Sequence, residues 1–80
     1  SGYAGKYELS GMKLTIRSDE SNNLYLFVPG QPEYTLLPTS ETVFVLKDLN
    51  GYKVEFLKDE KGNMKMNLIQ PNGTFSAMKE

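Results

Sequence analysis

Apolar segments of only four to seven residues, each bounded by Gly, Asn, Asp or Pro, follow one another from one end of this chain to the other. That spacing excludes most architectures. No stretch carries apolar residues at i, i+3 and i+4 over a helical length, whereas Met12, Leu14 and Ile16 alternate with Lys13, Thr15 and Arg17 in the period of a half-buried strand. The pattern predicts eight strands: Lys6 to Leu9, Met12 to Ser18, Asn23 to Val28, Tyr34 to Leu37, Thr42 to Lys47, Tyr52 to Leu57, Met64 to Gln70 and Thr74 to Lys79. The connections are predicted turns: Ser10-Gly11, Asp19 to Asn23, the stiff Pro29-Gly30-Gln31-Pro32, Thr39-Ser40-Glu41, Asp48 to Gly51, Lys58 to Asn63 and Pro71-Asn72-Gly73. In the fifth of these, Asn50-Gly51 is expected to supply the positive φ angles of a two-residue hairpin loop.

Connections this short leave no room for parallel crossovers, so sequential strands pair antiparallel in a meander. An open meander would expose two edges and a whole apolar face, which closure removes. The expected fold is therefore all-β, a single domain over residues 1–80 forming an eight-stranded antiparallel up-and-down barrel. A strongly coiled open meander sheet is the alternative. The predicted inward set is Leu14, Ile16, Leu24, Leu26, Val54, Phe56, Met66 and Leu68. A barrel of eight strands is either just filled by side chains or holds one small ligand. An enclosed cavity of ~300 Å³, at ~24 cal/mol per Å³, would cost ~7 kcal/mol. A domain of this length has a total stability of about 4 to 12 kcal/mol. A filled interior is the expectation, with a deep pocket the lesser alternative.

Chemistry is sparse by comparison. Nine Lys+Arg against ten Asp+Glu leave a formal charge of −1, so no net field draws nucleic acid or anionic lipid. With neither Cys nor His, disulfides, thiolate nucleophiles, imidazole bases and the usual zinc ligands are missing. No apolar run approaches the ~20 residues of a membrane-spanning helix, and no signal peptide is recognisable. The abrupt start at Ser1-Gly2-Tyr3 suggests a domain cut from a larger protein.

Local motifs read more simply as structure. Ser10-Gly11-Met12-Lys13 matches the Ser-x-x-Lys of penicillin-recognising enzymes, but it falls on a turn entering a strand rather than on a helix. Asn72-Gly73-Thr74 has the form of a glycosylation acceptor, yet between two strands Asn-Gly is first a hairpin turn. Asp19-Glu20 and Asp59-Glu60 lie in polar turns without the spacing of a calcium loop. No catalytic, metal-binding or cofactor-binding residues are expected.

Two segments break the alternation by being apolar on both faces, Leu24 to Val28 and Val43 to Leu46. Tyr25, Phe27, Tyr34, Val43 and Val45, with Gln31 of the adjoining proline loop, form the candidate docking surface, because aromatic patches beside a rigid loop make good interface anchors. The bland alternative is that a short terminal segment such as Tyr3-Ala4 covers them, or that they complete a second part of the core.

The run Tyr3-Ala4-Gly5-Lys6-Tyr7-Glu8-Leu9, then Leu24-Tyr25 and Gly30-Gln31-Pro32, is joined by Leu37-Pro38-Thr39-Ser40-Glu41-Thr42-Val43-Phe44, Val54-Glu55-Phe56 and Gln70-Pro71-Asn72-Gly73. In order and spacing these segments resemble the family called DUF3471, the lipocalin-like C-terminal domain of Pab87-related S12 peptidases, which are serine hydrolases of the penicillin-binding-protein and class C β-lactamase kind. The resemblance implies a bacterial accessory barrel without catalytic residues, C-terminal in a larger chain, that packs on a hydrolase or other domain of the same polypeptide or helps it form a homo-oligomer. It also implies a periplasmic or extracellular location. The alternative function is binding of a small molecule or peptide in the barrel interior or mouth.

Overall fold

The computed structural model describes residues 2–80. Eight strands alternate with turns: β1 (Gly5–Leu9), β2 (Met12–Ser18), β3 (Leu24–Phe27), β4 (Tyr34–Pro38), β5 (Val43–Leu46), β6 (Lys53–Lys58), β7 (Met64–Gln70) and β8 (Gly73–Lys79). Each pairs antiparallel with its neighbours in sequence, and β8 returns to β1, so the meander closes into a barrel rather than an open coiled sheet.

Local chemistry explains the turns. Ser10 and Gly11 both take positive φ, 50° and 84°, the combination that matches a two-residue loop to strand twist. Asp19 ties the β2–β3 turn from within, its Oδ1 accepting from the N–H groups of Ser21 and Asn23, both at 2.9 Å. Asp59 does the same for β6–β7, accepting from Lys61 and Asn63 at 2.9 Å. The β5–β6 connection differs from the expected two-residue loop at Asn50-Gly51. Positive φ falls on Asp48 and Gly51, 64° and 84°, and β5 ends at Leu46. The Leu49 N–H donates to the Leu46 carbonyl (3.3 Å), and Leu49 packs against the core. Burying that side chain widens the loop.

All eight expected inward residues are buried, joined by Tyr7, Val28, Leu36, Phe44, Leu46 and Ala77. Their register makes the two ends of the barrel different. At one end Tyr3 stacks on Phe56 with ring centres 4.2 Å apart and planes 7° from parallel, and meets Phe44 edge-on at 6.2 Å. Tyr7, fully buried, sends its hydroxyl to the Tyr3 carbonyl at 2.7 Å, and the Tyr3 hydroxyl donates to the Glu41 carbonyl at 3.0 Å. Burial, with the Tyr3 phenol nearby, pushes the Tyr7 phenol up to about 12. The N-terminal segment therefore plugs this end with aromatic rings. It covers Phe44 and Phe56 rather than the candidate patch around Tyr25.

Gly5 makes the plug possible. Its φ of 144° lies where side chains are rarely tolerated, and a Cβ there would stand 2.8 Å from Lys79 Cε. Lys79 instead passes over it to donate to the Gly2 carbonyl at 2.9 Å. The β1–β8 ladder that closes the barrel has two residue pairs, Tyr7↔Lys79 and Glu8↔Met78. Lys13, on β2, ion-pairs with its cross-strand partner Glu8 on β1 and, across this seam, with Glu80.

Candidate functional site

The opposite end of the barrel is built from the β1–β2, β3–β4, β5–β6 and β7–β8 hairpins, and it stays open. Leu14, Leu26, Leu46 and Leu68 project inward at its floor, while Leu9 and Met12 form one wall. A tight turn fixes the second wall. The Gln31 N–H donates to the Val28 carbonyl at 3.0 Å, with Pro29 and Gly30 (φ 83°) at its centre, where Pro sets the first φ and Gly supplies the second. This turn brings Gln31 beside Tyr34, whose hydroxyl donates to Gln31 Oε1 at 3.0 Å. Leu49 and Tyr52 supply the third wall from the widened β5–β6 loop, and Gln70 and Phe75 the fourth. Gly51 lets that loop meet the β7–β8 turn, since a Cβ on it would sit 3.1 Å from Pro71 Cγ.

Together these residues enclose a concavity of about 440 Å³, within the ~300 to 1,000 Å³ range of ligand sites. The expectation of a filled interior thus holds for the plugged end and gives way at the mouth. The energetic objection to a cavity does not apply there, because an open concavity is filled by water and its walls are not left facing a void. Chemically the mouth is lined by aliphatic and aromatic side chains, with the amides of Gln31 and Gln70 and the phenols of Tyr34 and Tyr52 as polar points. Amides donate and accept without titrating, so the site suits recognition of an apolar body carrying a neutral polar group. Among the described residues no three His, Cys, Asp or Glu side chains gather into a metal-binding group.

The six residues expected to form a docking surface divide between two faces. Gln31 and Tyr34 belong to the mouth, since Tyr34 pairs with the inward-facing Leu26. Tyr25, Phe27, Val43 and Val45 alternate with buried Leu24, Leu26, Phe44 and Leu46 and so lie on the outer wall. They do not form one patch there. Phe27 pairs with Thr15 toward the mouth, while Val45 pairs with Leu37 beyond the Leu36↔Leu46 pair, toward the plugged end.

Tyr25 is engaged rather than free. The Arg17 guanidinium carbon lies 4.1 Å from its ring centre, a cation–π contact, and its hydroxyl donates to Asp19 Oδ2 at 2.8 Å. Arg17 also makes a two-pronged pair with Glu33 at 2.9 and 3.0 Å. Donation from Tyr25, then from Asn23, holds the Asp19 carboxyl down at about 2, and donating that bond to the carboxylate raises the Tyr25 phenol. Arg17 lowers Glu33 in the same way. Phe27 remains 43% exposed, and Leu37 is 42% exposed.

Comparison of the chain with family models, curated proteins and solved structures returns no match.

Sequence reasoning missed most of the mouth, namely Leu9, Met12, Leu49, Tyr52, Gln70 and Phe75 as a group. A signal was available. Leu9-Ser10-Gly11-Met12-Lys13 and Leu49-Asn50-Gly51-Tyr52-Lys53 repeat one pattern, and each leads to an Asp-Glu-x-x-Asn turn, at Asp19 and at Asp59. The two hairpins that follow have equivalent registers, Ile16↔Leu26 in one and Phe56↔Met66 in the other. Leu9 and Met12 therefore answer to Leu49 and Tyr52 as repeated elements of one rim.

Proposed function

We propose that this barrel is a non-catalytic binding module that receives an apolar group of a small molecule or peptide in its open mouth. The observation that carries this reading is the concavity of about 440 Å³ with apolar walls and four neutral polar groups. Its amides and phenols include no nucleophile–base pair of the kind acyl or phosphoryl transfer requires. The division of labour in the barrel supports the same reading, because the aromatic plug of Tyr3, Phe44 and Phe56 lies away from the mouth. The resemblance to the lipocalin-like domains of serine hydrolases favours an accessory place beside an enzyme domain of an exported bacterial protein. In that setting the mouth is the surface that meets substrate or partner. Direct docking of the outer wall on a neighbouring domain is a second reading, favoured by the exposed ring of Phe27.

Titration with anilinonaphthalene sulfonate, followed by fluorescence and by amide chemical shifts, tests the first reading. Saturable binding is expected, with shifts concentrated at Leu49, Tyr52, Gln31 and Phe75. Leu49→Trp, which fills the mouth from its rim, should abolish binding while the domain still unfolds in a cooperative transition. Shifts centred on Phe27 and Leu37 instead would transfer the function to the outer wall.

A further inference from the structure

The barrel is not closed along its whole height. β8 pairs with β7 from Gly73 to Met78, but with β1 only through Met78 and Lys79. Beyond that point β1 ends at Leu9 and turns away through Ser10 and Gly11. From Gly73 to Ser76, β8 has a strand on one side and an opening on the other. Gly73 to Ser76 are all exposed.

Hydrogen-bond parity shows which groups face that opening. The Glu80 N–H donates to the Lys6 carbonyl at 2.9 Å, so Lys6 and Glu80 form a hydrogen-bonded pair and Tyr7 and Lys79 the non-bonded pair that follows. Carried along β8, this alternation turns the N–H and C=O of Ser76 and Thr74 away from β7, while those of Phe75 and Ala77 serve the β7 ladder. The side chains take the other direction. Phe75, 40% exposed, lines the mouth, and Met12, 37% exposed, lines it from the opposite side of the gap. Backbone groups at a strand repeat thus open directly beside an apolar concavity.

We infer that this gap is a site for β-strand addition, in which an extended peptide segment of a partner pairs with β8 at Thr74 and Ser76 and places an apolar side chain in the mouth between Phe75 and Met12. The inference rests on the mouth being a binding site and names its ligand class. Paired N–H and C=O groups at strand spacing recognise another backbone, and the adjoining pocket reads alternate side chains. The β1–β2 turn bounds the gap on one side, so its occupant enters from the rim. A chain end or a loop meets that requirement, and the wall of a second barrel does not.

The probe is a capped heptapeptide alternating threonine and valine around a central phenylalanine, titrated by calorimetry, with amide hydrogen exchange measured free and bound. Binding is expected to protect the Thr74 and Ser76 amides. N-methylation of alternate peptide amides should weaken it at least about tenfold, since ladder donors are lost. In the protein, Ser76→Pro removes an edge-facing N–H while leaving the β7 ladder intact, a placement proline tolerates in edge strands. It should abolish peptide binding and preserve anilinonaphthalene sulfonate binding, and Thr74→Pro serves if Ser76→Pro folds poorly. Dye binding without peptide binding overturns strand addition alone. Failure of both overturns the mouth reading as well. Concentration-dependent self-association that protects the same amides in the peptide-free protein assigns the edge to a second copy and also overturns the inference.

Discussion

Truncating one tyrosine at each end of the barrel should have unequal consequences. Tyr3→Ala removes a ring stacked on Phe56 and edge-on to Phe44, together with a hydroxyl bonded to the Glu41 carbonyl. Tyr3 is half-buried, so the lost burial is about 1.5 kcal/mol, half of the ~3 kcal/mol for a large side chain fully removed from water. The aromatic contacts add ~1 kcal/mol, and the hydrogen bond about 0.5 kcal/mol. The sum, about 3 kcal/mol, sits at the low end of the ~3 to 5 kcal/mol found for aromatic-to-Ala changes in full cores. At ~4 to 8 °C per kcal/mol for a domain of this size, the melting temperature should fall by roughly 12 to 24 °C. Tyr52→Ala removes a ring that already faces the open mouth and has no ring partner among the described residues. Its expected cost is about 1 kcal/mol, with most of its effect on ligand affinity. Urea and thermal unfolding of both variants, followed by circular dichroism, make the comparison. If Tyr52→Ala costs as much as Tyr3→Ala, the assignment of stability to the plugged end and binding to the open end is refuted.

Three further outcomes are expected. The Asp19 carboxyl is held at about 2, below the ~3.9 of an unfolded chain, so its contribution is present above pH ~4 and fades as pH falls toward 2. Acid titration of Asp19→Asn should therefore show a flatter stability loss over that interval than the parent. Tyr7 works in the opposite direction: with its phenol raised to about 12 from ~10, stability is intact below pH ~10 and declines through pH ~12 as the unfolded chain alone releases the proton. Tyr7→Phe should remove that alkaline decline in a spectroscopic pH series. Finally, Gly5→Ala forces a side chain into φ 144° and against Lys79 Cε. It should cost on the order of 1 to 3 kcal/mol, and adding Lys79→Ala should recover only the part due to the contact, as denaturant midpoints will report.

The barrel was legible in the sequence because its cause is local. Each strand announces its inward face by alternation, and each turn carries its own chemistry, as in Ser10-Gly11 and the side-chain bonds of Asp19. Closure followed from the need to remove edges. The mouth was less legible, since it depends on how far each hairpin reaches and not on residue type. Leu9, Met12, Leu49 and Phe75 look like any other core positions, and only register shows that they lie above the last filled layer. Tyr25 illustrates the reverse difficulty. An outward aromatic reads as an anchor until Arg17 and Asp19, brought beside it by the β2–β3 hairpin, occupy its ring and hydroxyl.

The two-pair seam also bears on the order in which this molecule assembles. Seven of its eight ladders join strands adjacent in sequence, so they close short loops and can form early and independently. The β1–β8 ladder brings together residues from opposite ends of the chain, and the entropy of that closure is recovered from two residue pairs, the Glu80–Lys6 and Lys79–Gly2 hydrogen bonds and the exposed Lys13–Glu80 ion pair. A folding chain therefore curls before it closes, and the native barrel opens first where it closed last. Fluctuations along this line expose Tyr7 and Ala77 at free energies below that of global unfolding, while Met66 and Leu68, held on both sides by long ladders, open only with the whole domain.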